Sequence, residues 1–398
     1  MRAPFIGIDR RRFLLGGGAL ALGAALPTVL FAQTGGSARL VVVILRGALD
    51  GLAAVPPWAD PHYADLHREL AIAAPGLEGG ALPLDGTFGL HPSFAFLHER
   101  YLSGEAVVFH AVASPYRDRS HFDGQNVLEN GLAAPLGTAD GWLNRALAAL
   151  PASAKGAVAI SQNVPLILRG EVPVISKSPQ ATPDVDEDLL ARLADLYSQD
   201  DWFSARLSEG VQTEKLGVGG AKPAPGTDRI VGVARMAAAL MRSDGGPEVA
   251  VIEASGWDTH ANQGGAKGTL AQRLAGLDRA LHALADDLGP LWPQTAVLAV
   301  TEFGRTAAMN GTRGTDHGTG GCAFLAGGAV RGGRVIADWP GLSRTSLIDD
   351  RDLRPTLDLR SVFKAVLDEH LHVDSRTLST RVFPDSSGAR PLKGLIRA

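Results

Sequence analysis

Acids, imidazoles and a hydroxyl stand just past apolar runs in this sequence, which is where open α/β sheets hold ligands. The run Thr295–Thr301, TAVLAVT, ends on Glu302, with Arg305 three residues on. A Gly/Thr/Asn-rich loop then delivers Asp316 and His317 ahead of a second run, Cys322–Ala326. Earlier in the chain, Asp258 and His260 follow Glu248–Ala254, Asp50 follows Arg39–Leu45, and Ser120 follows Ala106–Ala111 at a helix start. Asp, Glu and His make a mixed oxygen and nitrogen ligand set for a divalent metal. It suits Zn or Mn, and with fewer His Mg or Ca. Two such ions about 4 Å apart can clamp the attacking and leaving oxygens of an in-line displacement. Ser120 would sit where free N–H groups and the helix dipole favour negative charge, so it is the candidate nucleophile. Arg119 or Arg305 would grip an oxyanion through its planar fork of donors. The chemistry implied is metal-assisted hydrolysis of a small anionic ester.

Each residue also has a plainer reading. Asp50 before Gly51 fits an ordinary turn, and Ser120 with Asp123 three residues on resembles a capping box. Glu302 and Arg305 could simply pair with each other. Asp316 is expected to orient His317 rather than bind a metal directly, and His121 stays open between site and core. Cys322, the single cysteine, begins a buried run and is expected to be inert packing.

The elements that must position these residues follow from patterning. Arg39–Leu45 is a near-continuous apolar run, the mark of a central parallel strand. Ser93–Leu102 and the stretch from Ser120 to Gly131 predict helices, Lys155–Arg169 predicts hairpin strands, and Ile230–Arg242 a further helix. Asp186–Tyr197 predicts another helix and Lys215–Thr227 a Gly/Pro-rich linker. Leu270, Leu274, Leu277, Leu281, Leu284 and Leu288 recur at intervals of four and three, an amphipathic helix stopped by Gly289-Pro290. With Glu248–Ala254 before it and Thr295–Thr301 after it, this helix completes a βαβ unit with parallel strands. Asp258, His260 and Glu302 therefore share one sheet edge, and Asp50 and Ser120 join them by the same rule. The fold class expected is α/β, a mostly parallel central sheet flanked by helices, in a single domain over residues 38–390.

Composition agrees: 45% hydrophobic and 20% charged residues suit a globular protein. A net charge of −4, with no basic block past the first dozen residues, gives no nucleic-acid footprint. Residues 1–32 predict a twin-arginine signal peptide: Arg10-Arg11-Arg12-Phe13-Leu14 precedes a soft Gly/Ala-rich run that is a poor permanent membrane span. The expected location is therefore the periplasm or another extracytoplasmic space, with the twin-arginine translocase as a partner during export.

The motifs Leu45–Gly51 (LRGALDG), Arg119–Gly131 (RSHFDGQNVLENG), Gly256–Gln263 (GWDTHANQ), Thr301–Thr306 (TEFGRT) and Thr315–Gly321 (TDHGTGG) carry a resemblance. The chain resembles a twin-arginine-exported bacterial family of unknown function, sulfatase-like, within the alkaline phosphatase/sulfatase superfamily. That resemblance implies an alkaline phosphatase-like fold, one or two divalent metal ions (Zn, Mn, Ca or Mg) and a hydrolase of phosphate or sulfate esters. It implies that Asp50, Ser120 and Glu302 hold one ion and that Asp258, His260 and His317 hold the other. It also implies Ser120 as nucleophile, beside which Arg119 or Arg305 is read from its own chemistry as the oxyanion grip. Glu302-Phe303 stands where phosphatases carry an Asp-His pair, and the formylglycine motif of sulfatases is absent. The alternative is a catalytically degenerate binding or assembly module with a partner protein in the cell envelope.

Overall fold

The computed structural model describes residues 38–151, 156–179 and 229–397, with the isolated positions 193, 196, 197 and 200. The signal-peptide expectation falls outside these residues, as do the linker expected over Lys215–Thr227 and most of the helix expected over Asp186–Tyr197. No helix among the described residues is long and apolar enough to cross a membrane.

The chain opens with β1 (Arg39–Arg46), α1 (Gly51–Ala54) and α2 (Tyr63–His67), then a small separate hairpin of β2 (Leu82–Pro83) and β3 (Gly89–Leu90). Next come α3 (Ala95–Leu102), β4 (Ala106–Ala113), α4 (His121–Asn130), α5 (Trp142–Ala149), β5 (Ala157–Ile160) and β6 (Ile175–Ser176). The second half holds α6 (Arg229–Arg242), β7 (Val249–Ser255), α7 (Thr269–Leu288), β8 (Thr295–Thr301) and β9 (Gly321–Ala326). β10 (Arg334–Ile336), β11 (Leu357–Asp358) and α8 (Leu359–Glu369) follow, and a short α9 (Ser375–Thr377) runs into a helical turn over Leu378–Val382.

Nine strands form one sheet in the order β10-β4-β9-β8-β1-β7-β5-β6, with β11 also paired to β4. β1 pairs in parallel with both β7 and β8, so the βαβ unit read from the leucine spacing is present, with β1 lying between its two strands. The hairpin expected over Lys155–Arg169 is not formed. β5 pairs in parallel with β6 and β7, and Leu166–Leu168 is a 3-10 turn. β9 alone runs antiparallel to its neighbours β4 and β8. That reversal matters for the site. It puts the start of β9, and hence His317 just before it, at the edge where β1, β4, β7 and β8 end.

The strands are buried on both faces because alternate side chains feed two cores. Val41, Val43 and Leu45 meet α6 and α7 on one face, where all six leucines of the α7 stripe are buried. Leu40, Val42 and Ile44 meet Trp142, Phe363 and Val366 of α5 and α8 on the other. This three-layer packing makes the sheet edge a rigid platform. Cys322 lies within it, and burial pushes its thiol pKa up, which keeps it inert.

Candidate metal centre

Three imidazoles and one carboxylate meet at that edge. His121, at the start of α4, Asp258, past β7, and His317, before β9, bring one ligand atom each within 4.8 Å of one another. The His121 Nε2 lies 3.3 Å from Asp258 Oδ2, and the His317 Nε2 lies 3.3 Å from Asp258 Oδ1. His260 adds a third Nε2, 3.0 Å from Asp258 Oδ1 and 3.0 Å from the His317 Nε2.

The opposite nitrogen of each ring is tied outward. The His121 Nδ1 faces Glu302 Oε1 at 2.8 Å, the His260 Nδ1 faces Asp316 Oδ1 at 2.9 Å, and the His317 Nδ1 faces the Arg119 carbonyl at 2.9 Å. A carbonyl oxygen and a carboxylate only accept, so each Nδ1 is the donor, and each ring, when neutral, turns its Nε2 lone pair inward. Two such lone pairs 3.0 Å apart beside a carboxylate repel unless a cation or a proton stands among them. The His121 Nε2 is moreover buried with no hydrogen-bond partner. An inward Nε2 with its Nδ1 held by carboxylate or carbonyl is how metal-binding histidines are oriented. His121, Asp258 and His317, with His260 beside them, thus offer a nitrogen and oxygen donor set that fits a divalent metal.

Local structure explains why these side chains stay put. The φ of +62° at Arg119 bends the chain after β4 so that its carbonyl meets His317. Gly47 lets the loop after β7 approach, since a Cβ there would come within 2.7 Å of the Asp258 amide nitrogen. Arg305 is fully buried and holds the Asp258 and His317 loops together. Its Nη1 donates to Asp258 Oδ1 at 2.5 Å, and its other donors reach the Thr315 hydroxyl and carbonyl.

Charges follow from these contacts. Burial alone would raise the Asp258 carboxyl, but the Arg305 guanidinium and then His260 and His121 outweigh it and hold it below the ordinary range. Burial would likewise raise Glu302, yet hydrogen bonds from His121, Gln125 and the Gly47 amide hold it down. His121 is raised, first by its bond to Glu302. His317 is lowered, first by burial and then by its cationic neighbours.

The other candidates take different places. Asp50 is buried and caps α1 by accepting from the Leu52 and Ala53 amides, while its second oxygen meets Gln263 Nε2 at 2.7 Å and His67 Nε2 at 3.3 Å. Glu302 accepts from Gly47, His121 and Gln125, and its other oxygen lies 3.0 Å from the Thr301 hydroxyl. Both oxygens of Asp50 and Oε1 of Glu302 are thus met by protein donors, and the described contacts do not bring the two acids together with Ser120 as one ligand set. Ser120 occupies the cap position of α4 without making a capping bond, between Arg119 and His121. The Arg119 guanidinium is held by the buried Asp352, at 2.8 and 2.7 Å, rather than standing free. Asp316 orients His260, where the sequence suggested His317. His121, left open by the sequence, is a central member of the cluster, and its position at the first turn of the helix that Ser120 opens was the signal for it.

Glu302 touches no inward-facing atom of the cluster, so its test is separable from that of a ligand. Glu302→Gln is expected to lower metal affinity by roughly 10–100-fold, the usual cost of losing a group that orients a ligand. Metal content measured against a competing chelator checks this.

Residues 106–382 match the family described as Protein of unknown function (DUF1501). The chain belongs to that family. The matched region contains the whole cluster and leaves Asp50 and His67 outside it. No curated protein matches this DUF1501 chain. Among solved structures it is similar to the C-terminal periplasmic domain of EcEptC from Escherichia coli, complexed with Zn, at 9% identity and a TM-score of 0.36, over 74% of this chain and 73% of that one. It is similar to the phosphonate monoester hydrolase of Agrobacterium radiobacter at 11% identity and 0.36, over 83% and 73%. It is also similar to Ps i-CgsB at 9% and 0.40, over 89% and 77%. None of the three lends this chain a residue role.

Proposed function

We propose that this protein is an exported, metal-dependent hydrolase of phosphate or sulfate esters. The convergence of three outward-anchored imidazoles on Asp258 carries that reading. His121, Asp258, His260 and His317 would hold one divalent ion, and Arg305 supplies a fixed positive charge on Asp258 where a second ion would otherwise be needed. The ion would polarise the ester oxygen and offset charge that develops during displacement.

Ser120 supplies the attacking hydroxyl, since its side chain is not spent on capping and its chain neighbours both touch the cluster. Arg119, partly exposed, grips the ester's remaining oxygens, with Asp352 fixing its fork. Arg305 is fully buried and acts by positioning Asp258 and the His317 loop. The twin-arginine route would deliver the folded, loaded protein across the membrane.

Elemental analysis of purified protein, followed by chelation and refilling, tests this together with turnover of p-nitrophenyl phosphate and p-nitrophenyl sulfate. One bound ion per chain and turnover lost in Ser120→Ala are expected. Protein that takes up no Zn, Mn, Ca or Mg and turns over neither ester overturns it. The internal Arg305–Asp258 pair favours a second reading, a non-catalytic envelope module whose acid already has its counter-ion. Full function of Ser120→Ala in vivo would select that one.

A further inference from the structure

A cavity of about 840 Å³ shares a wall with the cluster. Gly256 and Trp257, directly before Asp258, line it, and so does Gln125, whose amide donates to Glu302. Gln125 also accepts from Arg46 at 3.0 Å, so the cavity wall and the support of His121 are one bonded frame.

Among the described residues that line it, the charge of this cavity is unbalanced. Arg46 is spent, held by Glu253 at 2.6 Å and by Glu129 at 2.8 Å. Arg169, Arg229 and Arg273 line the same space, and no carboxylate pairs with any of them among the described residues. Four arginines therefore face two glutamates. Arg273 is half-buried, and its guanidinium packs against Gly256. A Cβ at Gly256 would come within 2.8 Å of the guanidinium carbon, and the φ of +97° there suits glycine alone. Much of the remaining polar lining is amide, from Gln125, Asn126, Gln162 and Asn163, groups that both donate to and accept from hydroxyls.

We infer that this cavity seats the alcohol portion of the substrate, and that this portion is a hydroxyl-bearing chain with a second anionic group held by Arg273 and Arg229. The inference rests on the hydrolase reading above. Unpaired cations in a recess raise the local concentration of anions. A guanidinium fork matches carboxylate, phosphate or sulfate oxygens two at a time. Binding energy gathered there, away from the reacting bond, holds the ester against the cluster.

Calorimetric titration of the intact protein tests it with 6-phosphogluconate, whose carboxylate and phosphate end a polyol chain. Sorbitol 6-phosphate lacks the carboxylate, 6-(phosphonooxy)hexanoate lacks the hydroxyls, and glucitol 1,6-bisphosphate exchanges the carboxylate for a phosphoryl group, which separates the two anion types. If 6-(phosphonooxy)hexanoate binds as tightly as 6-phosphogluconate, the hydroxyl part of the inference is overturned. We expect the doubly anionic polyols to bind about 10-fold tighter than sorbitol 6-phosphate, the effect of one charged hydrogen-bonded contact. We expect Arg273→Gln, or Arg273→Gln with Arg229→Gln, to erase that preference while leaving sorbitol 6-phosphate affinity unchanged. Equal binding of all the polyols, or a preference that survives in the double variant, overturns the inference. Turnover of p-nitrophenyl phosphate and p-nitrophenyl sulfate, which carry no second anion, reads the hydrolase assignment separately. Turnover without an arginine-dependent preference defeats the cavity inference alone. A preference without turnover supports the cavity's ligand class and defeats the catalytic reading.

Discussion

Asp258→Asn is expected to lower metal affinity by more than about 100-fold, beyond the 10–100-fold range for groups that only orient ligands, and ester turnover should fall with it. Asp258 is the one carboxylate on which all three Nε2 atoms converge, and both its oxygens face the cluster. Asparagine keeps the shape and removes the negative charge. The buried Arg305 then loses the carboxylate it is bonded to while staying beside the imidazoles, which opposes a further cation. His317→Ala should have a comparable effect, because it deletes a lone pair without disturbing Arg305. Inductively coupled plasma mass spectrometry after dialysis, with chelator competition for affinity, measures both. Native metal stoichiometry in Asp258→Asn would show that the cation lies elsewhere.

Asp50→Ala is expected to destabilise the protein by about 3–5 kcal/mol, the cost of breaking a buried ion pair by removing one partner. It leaves His67, fully buried, without its carboxylate, and the Gln263 amide without its acceptor. It also removes the α1 cap. Further along, Gln263 Oε1 accepts from the Thr259 and Thr315 hydroxyls, and the Thr315 hydroxyl accepts from Arg305. Asp50 therefore sets which way the Gln263 amide faces, and a bonded chain runs from it through Thr315 and Arg305 to Asp258. Urea unfolding should show the loss, with metal affinity moving far less than in Asp258→Asn. The reverse pattern, intact stability with lost metal, would restore Asp50 to the ligand role that the sequence resemblance implied.

The same pair sets a pH dependence. Burial disfavours both charges, but His67 holds the Asp50 carboxyl below its ordinary value and Asp50 holds the His67 imidazole above its own. The Asp50 contribution is therefore complete above the unfolded carboxylate value, about 4, and is lost as pH falls through the lower folded value. The His67 contribution is complete below about 6.5 and is lost as pH rises through the higher folded value. The stability difference between the native protein and Asp50→Ala should accordingly be greatest between those limits and shrink on either side, as unfolding midpoints across pH would record.

The sequence by itself determined the parallel strands, the βαβ unit and the edge at which the chemistry gathers. Those follow from local causes: β-branched runs, a leucine stripe of period 3.6, and polar residues placed just past each run. It also placed Asp258, His260 and Glu302 at one edge, because each follows a strand that finishes there, whereas His317 joined them only through the family resemblance. Only the tertiary structure decided which acids face inward. Asp50 is met by His67 and by Gln263, 213 residues away, and Glu302 by His121 and by Gly47, 255 residues away. No local pattern records whether a carboxylate will be used up by such distant partners. The reversal of β9 and the left-handed turn at Arg119 are tertiary in the same sense. They orient His317 and hold its ring through a backbone carbonyl, a group that every residue carries and that residue identity therefore cannot mark.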